Sequence, residues 1–335
     1  MDVSPWLYVG FIAFVIAMLL VDLKLFHTEA HTPTTKESGI WVAIWVSLAI
    51  VFGIGLLAFQ GSRDAGEYFA GYLIEYSLSV DNMFVFVVIF SYFKIPLSHQ
   101  HQILFYGILG AMVFRGIFIA LGTALVQNFD WVIPIFGLFL LYTAFKIAKG
   151  SAEHVNPEDN PVLSFARKRF RTTTQLDGQK LFTVENGKRV ATPLFIVLLF
   201  IETTDIFFAI DSIPAIFAVT KEPFIVLTSN VFAILGLRAL YFLLAGGMDR
   251  LHLLKYGLAI ILGFVGVKML LEGTELVGLT EHAIHVPIWL SLTVIIGVLT
   301  ATAVLSFKIP PKDQEAFEHR VSGDDDEAND AGRPL

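Results

Sequence analysis

Runs of about 20 apolar residues recur along this chain of 335, and each can cross roughly 30 Å of hydrocarbon as a helix. Inside a bilayer every backbone N–H and C=O must be satisfied by the chain itself. Such runs therefore fold as helices, and the expected class is an all-α polytopic membrane protein. Nine runs are discernible, at about 4–26, 39–59, 68–92, 103–127, 131–149, 193–219, 224–246, 253–272 and 285–307. With 55% of residues hydrophobic and 16% charged, too little polar surface is left for a water-soluble globule. The first run follows Asp2 without a basic segment or a small-residue cleavage site, so it reads as a retained span rather than a signal peptide. The absence of cysteine excludes disulfides, thiolate metal sites and thiol redox chemistry.

Basic residues set the expected orientation. With nine spans and the N-terminus outside, eighteen of the 23 Lys and Arg fall in cytoplasmic segments. Two, Arg63 and Lys221, fall outside, and three, Arg115, Arg238 and Lys268, lie within spans. That asymmetry satisfies the positive-inside rule and puts the C-terminus in the cytoplasm. The membrane domain then covers 1–310, and 311–335 is a disordered, acidic cytoplasmic tail carrying the run at 324–327.

The chain resembles itself on either side of one long polar loop, 150–192. The third span holds Glu75 and then Asp81-Asn82; the sixth holds Asp205 and then Asp211-Ser212. The following spans each carry one arginine, Arg115 and Arg238. The spans after those end in a lysine followed by glycine, Lys146 with Gly150 and Lys268 with Gly273. Repeat A (about 68–149) and repeat B (about 193–272) enter the membrane from opposite sides, an inverted three-helix pair of the kind that places a binding site at the midplane. The spans at 4–26, 39–59 and 285–307 are peripheral. Within the loop, RKRFR at 167–171 is a basic stretch suited to a solvated linker or to anionic lipid. Short alternating runs around Asn186-Gly187 predict a hairpin.

Glu75, Asp81, Glu202, Asp205 and Asp211 all fall inside spans, where each ionised acid costs about 2.5–3.5 kcal/mol on insertion scales. Five acids against two arginines leave charge for a bound cation and a proton to balance. At about 100° per residue, Glu75 and Asn82 share a face while Asp81 is offset. Asp205 and Ser212 share a face, with Glu202 near it and Asp211 offset. A helix break would help these groups converge, and Pro214 is the expected place for it. Carboxylate, amide and hydroxyl oxygens select hard cations such as Mn²⁺, Mg²⁺ or Ca²⁺. Met83 is expected to be packing, His27 and His31 to be interfacial, and Asp22 to reach the cytoplasmic interface near Lys24.

EYSLSVDNMFVF at 75–86 and ETTDIFFAIDSIPAIFAVT at 202–220 closely resemble the signatures of the TerC family, named for tellurium resistance. The likeness extends to FHTEAH at 26–31 and VATPLF at 190–195, covering most of residues 20–310. It implies a bacterial inner-membrane protein related to manganese exporters, with links to tellurite resistance and alkaline-pH responses. Carried over residue by residue, the implied ion ligands are Glu75, Asp81, Asn82, Glu202, Asp205, Asp211 and Ser212, with Arg115 and Arg238 balancing charge.

The expected function is export of a divalent metal ion, Mn²⁺ first, by alternating access between the repeats. Outward movement opposes an inside-negative potential by about 4.6 kcal/mol per 100 mV for a divalent ion. No phosphate-binding loop is present, so proton antiport is the expected coupling. The expected partners are the ion, protons and the lipid bilayer, with no nucleic acid, no prosthetic group and no enzymatic reaction. The competing readings are a non-transporting scaffold working through 150–192, and export of Ca²⁺ or another divalent cation.

Overall fold

The computed structural model describes residues 4–26, 34–149, 171–173, 175–185, 187–244, 253–276 and 286–309, leaving aside the side chains of 22–26, 81, 84 and 274–276. The expectations for the side chains of Asp22 and Asp81, for His27 and His31, for most of the RKRFR stretch and for the tail after 310 lie outside these residues. The described chain forms ten helices and one hairpin. The helices are α1 (Pro5–Phe26), α2 (Thr35–Phe59), α3 (Ser62–Tyr92), α4 (Leu97–Asn128), α5 (Val132–Ala148), α6 (Pro193–Phe217), α7 (Pro223–Leu235), α8 (Leu237–Leu244), α9 (Leu254–Leu276) and α10 (Ile288–Lys308). The strands are β1 (Phe182–Glu185) and β2 (Lys188–Ala191).

Seven segments are long and apolar enough to cross a membrane: α2, α3, α4, α6, α7 with α8 as one unit, α9 and α10. Two of the nine expected spans are shorter apolar helices, Pro5–Val21 within α1 and Val132–Ala148. The seventeen residues of α5 rise only about 25 Å, short of the hydrocarbon thickness, whereas α1 runs on to Phe26. Several helices outrun the apolar stretch that announces them. α3 starts at Ser62 and α4 at Leu97, because polar residues extend a helix that hydropathy alone does not register. α2 starts four residues early, where the Thr34 hydroxyl accepts the Glu37 N–H at 3.2 Å in a capping-box sequence.

The expected break at Pro214 does not occur. α6 runs unbroken to Phe217, and the Ala218 N–H bonds to the Pro214 carbonyl at 3.1 Å. Proline there forfeits one hydrogen bond in the penultimate turn, too little to end a helix buried along that length. The interruption lies instead at Gly236, between α7 and α8, two residues before Arg238. The helix restarts at once, with the Leu240 N–H bonded to the Gly236 carbonyl at 3.0 Å.

The most buried elements are α7 with α8 and α3, with 89% and 69% of their apolar windows inside the protein, whereas α2 and α10 have 22% and 17%. The pairings that frame the centre of the bundle are α3 on α7, α4 on α6 and α3 on α6, with α5 on α9 the most extensive and α10 packed on α3 and α9. α5 and α9 approach backbone to backbone. A Cβ on Gly137 would lie 3.0 Å from the Gly266 carbonyl oxygen, and one on Gly266 2.9 Å from that of Gly137. Small residues permit such approaches in membrane bundles. Gly266→Val is therefore expected to destabilise the protein by about 1–3 kcal/mol in detergent unfolding, since neither backbone can yield. The same change at Gly116, which has nothing within 4 Å, should cost less, and equal costs would contradict this account.

The predicted hairpin is present. β1 and β2 pair antiparallel with Glu185 opposite Lys188, and Gly187 takes φ +72°, as a tight two-residue turn demands. It is fastened to the start of α6 by Thr192, whose hydroxyl donates to the Lys180 carbonyl at 2.8 Å, and by the Phe182 and Phe195 rings, 4.5 Å apart.

Candidate functional site

At the centre of the bundle, α3, α4 and α6 bring three charges together. Arg115 on α4 is 1% exposed and is ion-paired with both Glu75 of α3 and Asp205 of α6. Asp205 is held by two contacts, Arg115 Nη2 to Oδ1 at 3.1 Å and Nε to Oδ2 at 3.3 Å. Fork-like pairing of this kind fixes direction as well as charge. The two acids at matching positions in the repeated motifs thus share one guanidinium. Arg238 lines, with Asp205 and Met83, a small cavity of about 20 Å³, room for one water-sized group. Its guanidinium also stands 6.0 Å from the Phe105 ring centre.

The remaining acids of α6 diverge from that knot. Glu202 rests on Gly110 of α4, so closely that a Cβ on Gly110 would fall 2.0 Å from Oε1 and 2.1 Å from Oε2. Asp211 faces α5, where its Oδ1 accepts the Thr143 hydroxyl at 3.2 Å. Asn82 and Ser212 are buried, and the Ser212 hydroxyl has no hydrogen-bond partner among the described residues. By contrast Thr203 and Thr204 donate to their own helix, to the carbonyls of Leu199 at 2.7 Å and Phe200 at 2.8 Å. The structure therefore brings Glu75, Asp205 and Arg115 together and sets Glu202 and Asp211 on separate faces. Among the described residues, no three His, Cys, Asp or Glu side chains gather as a metal cluster.

Three further residues escape a sequence reading. Gly110 looks like any small residue in an apolar helix, and only the carboxylate lying on it gives it meaning. Thr143 is one hydroxyl in an apolar run. Glu67 falls one residue before the third apolar run, yet it is buried, accepting Arg63 Nε at 2.9 Å and the Thr220 hydroxyl at 2.5 Å. Glu67 belongs to a second, larger cavity of about 620 Å³ between the starts of α3 and α10 and the ends of α6 and α9. Arg63, Thr220, Lys221, Lys268 and Glu272 also line it. Lys268 is buried there, 3.9 Å from Glu272.

A family model described as Integral membrane protein TerC family matches residues 60–314. The chain is 49% identical over 303 residues to the Uncharacterized membrane protein STKORF319 of Myxococcus xanthus, covering 90% of this chain and 92% of that one. It is 44% identical over 312 residues to a protein of Escherichia coli (strain K12) named "Putative membrane-bound redox modulator Alx", covering 90% and 94%. It is 48% identical over 239 residues to the Thylakoid membrane protein TERC of Arabidopsis thaliana, covering 71% and 62%. No solved structure matches.

Proposed function

This chain belongs to the integral membrane protein TerC family, and on that premise we propose that it exports a hard divalent cation, Mn²⁺ foremost, across a bacterial inner membrane. The observation that carries the proposal is one guanidinium, Arg115, held by a carboxylate from each of two central helices, with Glu202 one turn from Asp205 on α6 and Asp211 on another face of that helix. Four buried or half-buried acids against two arginines attract a cation, and their oxygens suit a hard one. Asp81, Asn82 and Ser212 complete the ligand set carried by the two motifs.

Alternating access draws support from the pairing of helices. Exchanging α3–α5 for α6–α9 maps α3-on-α7 onto α6-on-α4 and leaves α5-on-α9 unchanged, the pattern expected of an inverted repeat within a nine-span bundle. Proton antiport is the coupling we favour, because a buried carboxylate with another one turn away, as Glu202 has in Asp205, can take up a proton as metal departs. The 620 Å³ cavity serves as the outer vestibule in this scheme, with the N-terminus outside and the C-terminus cytoplasmic. The cysteine-free chain makes that testable. Lys221→Cys, exposed at the rim of that cavity, is expected to react with a membrane-impermeant thiol reagent added outside, and labelling solely from the cytoplasmic side would overturn the orientation.

The Escherichia coli relative's name speaks of redox modulation. A chain with no cysteine has no thiol of its own to exchange, so a redox effect here would act through the metal it moves. The deciding experiment is Mn²⁺ flux from loaded proteoliposomes with and without a pH gradient. Flux that accelerates with the gradient and is lost in Asp205→Asn is expected. Absence of flux in the wild type would remove the transport reading in favour of a scaffold, and flux indifferent to pH would remove antiport alone.

A further inference from the structure

Asn230 of α7 is 1% exposed, and neither its amide nitrogen nor its amide oxygen has a hydrogen-bond partner among the described residues. Its neighbours do not share that condition. Thr228 donates to the Phe224 carbonyl at 2.8 Å and Ser229 to the Ile225 carbonyl at 2.7 Å, so both hydroxyls are spent on their own helix. An asparagine cannot back-bond in that way as readily, and a dry, unpaired amide is among the costliest groups to bury. Something other than the neighbouring side chains must engage it.

Register indicates what lies beside it. Gly71 of α3 sits at a three-helix contact, where a Cβ would fall 3.0 Å from Ser229 Oγ and 3.2 Å from Ile216 Cδ1. α3 and α6 run antiparallel, since Glu67 meets Thr220 at one end and Glu75 shares Arg115 with Asp205 deeper in. One turn further in from Gly71 on α3 is Glu75, and one turn further in from Ile216 on α6 is Ser212, each on the contact-facing side of its helix. On α7, Asn230 lies on the stripe between Val226, which belongs to one buried cluster with Ile74 of α3 and Ile216 of α6, and Ile234, which belongs to another with Met83 of α3 and Ile201 of α6. Beyond its ion pair with Arg115, Glu75 accepts no hydrogen bond among the described residues, and the Ser212 hydroxyl is likewise unengaged. α3, α6 and α7 thus each carry one buried, oxygen-bearing side chain on the stripe they turn toward the others.

We propose that Asn230 is a neutral oxygen ligand for the transported cation, acting with Glu75 and Ser212, and that α7 is therefore part of the ion site. This rests on the transport reading above. A carboxylate with an amide and a hydroxyl oxygen is a donor set for a hard divalent cation, and it needs no cluster of three acids.

The test uses the full-length protein in detergent, with thermal unfolding and Mn²⁺ titration using MnCl₂ alone. Asn230→Leu, close in size and lacking the amide, is expected to unfold without metal at or above the wild-type temperature. It should lose the Mn²⁺-induced rise and bind Mn²⁺ at least tenfold more weakly. Asn230→Asp keeps an oxygen donor and should keep the rise. A full Mn²⁺ response in Asn230→Leu would overturn the ligand role while leaving transport standing. A metal-free Asn230→Leu that unfolds well below wild type, or an Asn230→Asp without any response, would make the amide structural and also overturn it. A wild type indifferent to Mn²⁺, Mg²⁺ and Ca²⁺ alike would instead strike the transport reading itself.

Discussion

Arg115→Met is expected to destabilise the protein by roughly 3–5 kcal/mol, the usual cost of stripping one partner from a buried ionic group. Arg115 is 1% exposed and holds carboxylates from two helices, so its removal leaves Glu75 and Asp205 buried with no cation between them. The two acids must then take up protons, admit water or move apart, and each of these loosens the packing of α3 on α6. Detergent unfolding measures the loss. The decisive comparison is the triple variant Arg115→Met, Glu75→Gln, Asp205→Asn, in which no charge is stranded. Replacing a whole buried ionic group with neutral residues is often close to neutral, so most of the lost stability should return. A triple variant as weak as the single one would show that Arg115 matters through its packing rather than its charge. The single variant carries a second expectation: if a divalent cation can stand where the guanidinium stood, Mn²⁺ should raise its unfolding temperature more than it raises that of the wild type.

Gly110→Ala should have the next largest effect, and on transport more than on folding. The added methyl would lie 2.0 Å from Glu202 Oε1, well inside any real contact, so the carboxylate must leave its place on α4. Because the methyl meets only the far end of a flexible side chain, the carboxylate can swing aside at little cost to folding, and a displaced ligand that gives up about 1.4 kcal/mol of cation binding lowers affinity tenfold. Mn²⁺ flux should fall accordingly while the protein still folds. Gly116→Ala, on the same helix with nothing within 4 Å, is the control. It should gain about 0.5–1 kcal/mol from better helix propensity and leave flux unchanged. Equal flux in the two variants would remove Glu202 from the ion path.

What a single chain can reveal here follows from the bilayer. An apolar run of span length has few alternatives to a helix, so the helical class and the approximate position of each apolar segment are readable in advance. The acids are readable for the same reason, since a carboxylate amid phenylalanine and isoleucine stands out wherever it later points. The Asn186-Gly187 turn announces its hairpin because the demand for positive φ is local.

Contacts between helices are another matter. Periodicity reports which residues share a face but not what the facing helix presents there. Gly110 becomes a carboxylate seat because Glu202 lies on it, and Asn230 becomes conspicuous because its neighbours are satisfied and it is not. Helix continuity was also decided by surroundings rather than by residue type. Pro214 is accommodated near the end of a buried helix, while Gly236, a weaker breaker on paper, interrupts the segment carrying Arg238. The sequence by itself determined that this is a helical membrane protein with acids placed in two matching motifs. Only the tertiary structure decided that Glu75 and Asp205 meet on Arg115 while Glu202 and Asp211 turn elsewhere. The physical reason is that side-chain period belongs to one helix, whereas the pairing of charges depends on which helices pack together and in what register.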